Sequence, residues 1–294
     1  MNVLITGASG LVGSGLIEYL FSKGHTIFSL QRSKQQSGSF WQFDRIPPEM
    51  AEQSFDAVIH LAGENIATGR WNEAKKKKIL NSRVEGTRQL ADFCAGLSTK
   101  PEVFFCASAI GFYGNCGDKT LDETGSPGTN FVAEVCRAWE KASDPVVEAG
   151  IRAVFGRIGM ALSGKSGTLP AMLPSFKLGI AGVVGTGKQY ISWVQIEDLL
   201  AMIEYALEHQ NIEGPVNLVA PAAVTNREFT KTLGKVVHRP TFMNMPAFVA
   251  KTIFGQMGEE LLLSSTRVLP SVLMRSGYVH RYTNLEKALA ACIK

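Results

Sequence analysis

Residues 4–13 read LITGASGLVG, and the reading of this stretch decides the fold. A short apolar run leads into Gly7, Gly10 and Gly13 and then into an amphipathic segment, a strand–turn–helix pattern. The first glycine permits the tight turn. The second leaves bare backbone for close approach of a pyrophosphate, and the third lets the helix pack against the strand. Ser9, Leu11 and Val12 complete the turn, and the helix start offers N–H groups and a positive dipole end to an anion. The stretch therefore predicts a dinucleotide-binding turn.

Outward from it, NVLIT, TIFSL, AVIHLA, VFFCAS and RAVFGRI are continuously apolar, as strands buried on both faces are. Amphipathic segments at 11–21, 73–94 and 131–149 lie between them. This β-α-β rhythm predicts an α/β fold, a Rossmann-like doubly wound parallel sheet over residues 1–162. After about Ser163 the chain turns rich in Gly, Pro and Ser. Helical patterns follow at 197–209, 226–237, 246–254 and 284–293, with an extended PVNLVA among them. Residues 163–294 read as a smaller C-terminal α/β lobe covering a substrate cleft and returning some elements to the first domain. Asp198 reads as a helix N-cap.

The second strand selects the dinucleotide. An NAD site usually ends this strand with an acid that bonds the ribose 2′-hydroxyl. Gln31, Arg32 and Ser33 stand there instead. Arg32 can pair a 2′-phosphate in a planar fork and Ser33 can add a hydrogen bond, so the expected cofactor is NADP(H).

The chain has 294 residues and a net charge of +4, too small a field to suggest nucleic-acid binding. Its five cysteines are scattered without a C-x-x-C, which argues against a disulfide framework and a zinc site, and the histidines lack ligand spacing. No apolar run is long enough to span a bilayer and no secretory pattern opens the chain, so the expected compartment is cytoplasmic.

With TGASGLVG, DAVIHLAGENI, SAIGFYG and GTGKQYISWVQIEDL in order, the chain resembles the extended, epimerase-like branch of the short-chain dehydrogenase/reductase superfamily. More closely it is similar to the atypical subfamily of epimerase family proteins, also labelled nucleoside-diphosphate-sugar epimerases. The resemblance implies that Leu61, Ala62 and Gly63 line the adenosine side of the cofactor, and that Ala107 and Ser108 lie beside the nicotinamide ribose. It implies that the segment Arg157 to Ala161, with Ile158, Met160 and Ala161 as its contacts, passes the nicotinamide ring. It also implies a homodimer packed through the helices at 73–94 and 131–149.

The same resemblance exposes two departures. Active members carry Tyr-x-x-x-Lys on the helix after the YG segment, where Tyr transfers a proton and Lys lowers its pKa. Here Phe131 and Val135 occupy those positions, and Arg83 stands where an Asn supports the relay. Arg83, with Lys78 about a turn earlier, is therefore expected to bind cofactor. Ser108, in a supporting role that orients a substrate oxygen, and Tyr113 remain as catalytic candidates, although a Tyr so placed is more often a pocket wall or a bonded loop anchor. Glu64 would need burial to raise its pKa. Lys188, Tyr190 and Trp193 could recognise an anionic or nucleotide-bearing substrate, or the two aromatics could be core. No metal is expected.

The sequence thus points to an NADP(H)-binding, epimerase-like oxidoreductase acting on a sugar-like or nucleotide-sugar-like small molecule with a nonstandard proton donor. The alternative is a catalytically silent NADP(H)-binding sensor or partner protein. Bacterial members of the subfamily are also labelled cell-division regulators, a third reading that no physical feature of this sequence supports.

Overall fold

The computed structural model describes residues 1–31, 39–40 and 46–293. The strands are β1 (Asn2–Thr6), β2 (Thr26–Gln31), β3 (Ser39–Phe40), β4 (Ala57–His60), β5 (Val103–Ala109), β6 (Thr120–Leu121), β7 (Arg152–Ile158), β8 (Met160–Leu162), β9 (Tyr190–Ile191), β10 (Trp193–Gln195), β11 (Gly214–Leu218), β12 (Val224–Thr225) and β13 (Arg267–Val268). The helices are α1 (Leu11–Ser22), α2 (Glu73–Gly96), α3 (Phe131–Lys141), α4 (Asp144–Glu148), α5 (Thr168–Lys177), α6 (Ile196–Glu208), α7 (Asn226–Val236), α8 (Ala247–Phe254), α9 (Ser271–Ser276) and α10 (Leu285–Cys292).

Seven strands form one sheet in the order β11-β7-β5-β4-β1-β2-β3, and every pairing in it is parallel. Successive strand residues face opposite sides, and both sides are apolar here. Val3, Ile5, Ile59 and Phe105 pack with Leu16 and Leu20 of α1 and with Leu199 and Ile203 of α6. Leu4, Val58, Phe104 and Cys106 pack with Leu90 and Cys94 of α2, Trp139 of α3 and Val146 of α4. The second half of the chain contributes β11 and α6 to this layered body. A separate core of Leu162, Leu169, Phe176, Trp193, Phe229 and Leu289 holds the remaining C-terminal elements. Three two-stranded pairs, β10 with β8, β12 with β9 and β13 with β6, tie that part together.

The helix expected over 131–149 is two helices. α3 ends at Lys141, and α4 starts anew with Asp144 and Pro145, because a proline cannot supply the backbone N–H that a continuous helix needs. Among the described residues no helix is long and apolar enough to cross a membrane.

Candidate functional site

The chain runs outward through β1, β2 and β3 and then returns to β4 on the other side of β1, so the order of the sheet reverses between β1 and β4. Ligands of such sheets bind at the carboxyl ends of the strands flanking this reversal. Here those ends are joined: Thr6 Oγ1 and His60 Nδ1 lie 2.7 Å apart and both residues are fully buried. Burial, and secondarily the Arg83 charge, lowers the His60 pKa to about 3, so the ring is neutral and the floor of the site is uncharged.

The turn above this floor is shaped by missing side chains. Gly7 has φ +78°, and a Cβ there would lie 2.6 Å from the Leu61 carbonyl carbon. A Cβ on Gly13 would come within 2.2 Å of the Gly7 oxygen, whereas one on Gly10 would stand 3.3 Å from the same atom. Gly7 and Gly13 are thus required by the protein's own packing, while Gly10 leaves an exposed gap at the start of α1. No side chain caps that helix start, and Ser9 beside it is exposed. The first-turn N–H groups with the dipole end form an anion cradle that a pyrophosphate fits.

Arg83 reaches over from α2. Its Nη1 donates to the carbonyls of Glu64 (3.0 Å) and Ile79 (3.2 Å), and its guanidinium lies 4.8 Å from the Trp139 ring centroid. A Cβ on Gly63 would stand 3.1 Å from the guanidinium carbon, so the Leu61, Ala62 and Gly63 segment and Arg83 fit together closely. Lys78 does not extend this cation. Its Nζ stands 3.2 Å from Glu64, and Lys75 Nζ stands 2.8 Å from the same carboxylate. The hydrogen bond from Lys75, aided by Lys78, holds the Glu64 carboxyl below its ordinary pKa, so the raised pKa that a proton donor would need is not found here. Gln31 ends β2 in register with Phe40. Arg32 and Ser33 lie outside the described residues.

On the β5–β7 side, Ala107 is buried, while Ile158, Met160 and Ala161 are half-buried at the ends of β7 and in β8. The two catalytic candidates are brought together, but into structure. Ser108 is 3% exposed and donates to Glu140 Oε1 at 2.7 Å. Arg157 grips Glu140 with two bonds of 2.9 Å, Nε to Oε1 and Nη2 to Oε2. Arg157 Nη1 also donates to the Tyr113 hydroxyl at 3.0 Å, and that hydroxyl donates to Asn217 Oδ1 at 2.8 Å. Burial pushes the Tyr113 pKa up even though Arg157 opposes it. Tyr113, 2% exposed, is bonded in the manner of a loop anchor. In this structure each hydroxyl is bonded to a partner inside the protein.

Phe131 opens α3, with the Trp71 ring edge-on at 5.3 Å and Lys76 Nζ 5.7 Å from its centroid. Val135, a turn later, is 2% exposed. Burial likewise raises the thiols of Cys106 to about 12 and Cys136 to about 11, so neither is a ready nucleophile.

In the C-terminal part the proposed recognition group separates. Trp193 is fully buried and donates its indole N–H to Ala222 O, in keeping with the core alternative of the two readings. Tyr190 is half-buried under the Arg267 guanidinium at 4.7 Å, and Lys188 is exposed. Asp198 is not the cap of α6, a place taken by Gln195; it accepts the backbone N–H groups of Arg281 and Tyr282 and so pins the C-terminal segment. Sequence reasoning missed Glu140, Asn217, Trp71 and Glu260. A buried arginine in a strand signals that an acid must lie opposite, but not which one.

A model of the NAD dependent epimerase/dehydratase family matches residues 3–219, and a domain of unknown function matches residues 245–292. Epimerase family protein Mb2239 of Mycobacterium bovis is 37% identical over 295 residues, covering 98% of this chain and 96% of its own. The crystal structure of human epimerase family protein SDR39U1 with NADPH has a TM-score of 0.91 at 30% identity, covering 100% of this chain and 99% of that one. A nucleoside-diphosphate sugar epimerase from Corynebacterium glutamicum has a TM-score of 0.83 at 34% identity, covering 100% of this chain and 58% of its own.

Proposed function

The chain belongs to the NAD dependent epimerase/dehydratase family, and from that premise we propose that it holds NADP(H) without a side chain that relays a proton in the Tyr–Lys manner. Its output on this reading is the bound cofactor, read as redox state or by a partner, and not rapid turnover. Gly7, Ser9, Gly10, Leu11, Val12 and Gly13 take the pyrophosphate, and Gln31, Arg32 and Ser33 the 2′-phosphate end. Leu61, Ala62 and Gly63 with Arg83 take the adenosine side, and Ala107, Ile158, Met160 and Ala161 take the nicotinamide side. NADP(H) is favoured by the absence of an acid after β2 and by the NADPH in the human relative's crystal.

One observation carries the silent reading. Among the described residues, the Ser108 and Tyr113 hydroxyls are consumed by Glu140, Arg157 and Asn217, beside a helix whose key positions are Phe131 and Val135. When bound, NADPH supplies a hydride; these residues supply no proton to accompany it. The second reading is an oxidoreductase or epimerase on a sugar-like or nucleotide-sugar-like substrate, the proton coming from water. It is supported by the likeness to the C. glutamicum sugar epimerase, which takes in all of this chain and 58% of that protein.

The test is direct. The purified protein is saturated with NADPH, whose fluorescence reports binding, and challenged with carbonyl compounds and nucleotide sugars. Tight retention with no loss of absorbance is expected. Consumption of NADPH, or interconversion of a sugar, with any of them would replace the first reading by the second.

A further inference from the structure

Two stretches of the C-terminal part carry no acid at all. Residues 161–196 contain Lys165, Lys177 and Lys188, and residues 229–258 contain Lys231, Lys235, Arg239 and Lys251, with neither Asp nor Glu in either. The fold lays the stretches side by side. Arg239 Nε donates to the Lys177 carbonyl at 3.0 Å, a Cβ on Gly179 would meet the Pro240 ring at 3.6 Å, and Met245 N donates to Val183 O at 2.8 Å. Lys165, Lys235 and Lys251 face Glu18, Glu286 and Glu259 at the margins. Lys177, Lys188, Lys231 and Arg239 have no acidic partner among the described residues.

Between these cations the surface is apolar. Leu178 is 73% exposed, Phe242 69% and Phe248 71%, with Ile180 and Met243 about half exposed beside them. Leu178, Ile180, Phe242 and Met243 lie on the two stretches that run side by side, Phe248 follows shortly after on α8, and exposed side chains of this size mark an interaction surface. Next to Leu178 a groove runs along α5, lined by Gly164, Pro170, Leu173, Pro174 and Lys177.

We propose that this face docks a partner protein through an acidic amphipathic helix. The helix seats its apolar side chains in the α5 groove and against Leu178, Phe242 and Phe248, and turns its carboxylates to Lys177 and Arg239. Charge complementarity selects this occupant. A second copy of the chain would bring cations against cations about the symmetry axis. A bilayer offers no side chains to fill a groove, whereas an amphipathic helix fills one with residues at helical spacing.

The test pans a phage-displayed library of random peptides, about four helical turns long, on the full-length protein. Binders are counter-screened on a Leu178→Glu/Phe248→Glu variant. Both positions are exposed, so its melting temperature and NADPH binding should match the wild type, which separates this proposal from the cofactor reading. The expected binders are acidic and apolar, at least tenfold weaker on the variant, and weakened again by about 0.5 M salt. The proposal is overturned if no variant-sensitive peptide emerges or if those that emerge are neutral or basic. Variant-sensitive pelleting with phosphatidylglycerol vesicles would reassign the face to membranes. A variant-sensitive dimer in sedimentation would reassign it to self-association.

Discussion

At the scale of single residues, the turn glycines divide by what each one meets. Alanine at Gly13 would place a methyl 2.2 Å from the Gly7 oxygen, so Gly13→Ala should lose NADPH binding and cost about 1–3 kcal/mol of stability. Gly10→Ala meets that oxygen at 3.3 Å and should fold normally while weakening the cofactor, a contrast that melting curves and fluorescence titration resolve. Arg32→Ala should weaken NADPH by roughly tenfold or more and leave NADH unchanged, since only the 2′-phosphate is lost to it; equal affinity for NADPH before and after would remove the NADP(H) assignment. Glu140→Gln leaves the Arg157 cation buried and uncompensated, and should cost about 3–5 kcal/mol in chemical denaturation. These residues differ in legibility for a physical reason. A glycine's constraint is local, so the turn could be read from ten letters. The partners that spend the Ser108 and Tyr113 hydroxyls lie 32 and 104 residues away, at distances that periodicity does not reach.

At the scale of elements, helices were readable wherever a cap or an apolar stripe marked them. α2 begins after Asn72 and α3 after Asn130, each asparagine accepting a backbone N–H of its first turn. The break after α3 was written in Pro145 but hidden by a stripe that continues across it. Asp198 illustrates the opposite failure, since an acid in the first turn of a helix is ordinarily explained by the helix itself, and only the returning C-terminal segment reveals its use. α3 also shows why the usual catalytic pair cannot simply be restored. Its N-terminus is held from the C-terminal part by Glu260, which accepts from Val132 N and Asn130 Nδ2 at 2.9 Å each. Its Phe131 lies against Trp71, and Val135 is packed away from water. Phe131→Tyr combined with Val135→Lys should therefore bury an unpaired ammonium, lower the melting temperature and create no carbonyl reduction. Measurable NADPH turnover in that double variant would show that the rest of the relay is intact and would count against the silent reading.

At the scale of the whole molecule, the parallel sheet was legible because strands covered on both faces are largely apolar, as β1, β4, β5 and the middle of β7 are. What joined them across the chain was less so: β11 completes the sheet from beyond a long Gly- and Pro-rich stretch, and the packing of α6 on α1 is a contact between distant segments that no local pattern encodes. The central pair of strands suppresses in the folded state a titration that the unfolded chain undergoes near neutral pH. His60 sits fully buried between them with its pKa lowered to about 3 by burial and by the Arg83 charge, against about 6.5 in the unfolded chain. Between those values the unfolded chain binds the extra proton, so the stability that neutral His60 secures is complete above about pH 6.5 and is lost as the pH falls. From pH 7 to pH 5 the loss is about 2 kcal/mol. His280, whose pKa burial also lowers, contributes in the same direction. Urea midpoints measured across this range should fall toward acid, and His60→Gln, which cannot take up the proton, should flatten most of that slope; a slope unchanged in the variant would assign the acid sensitivity elsewhere in the fold.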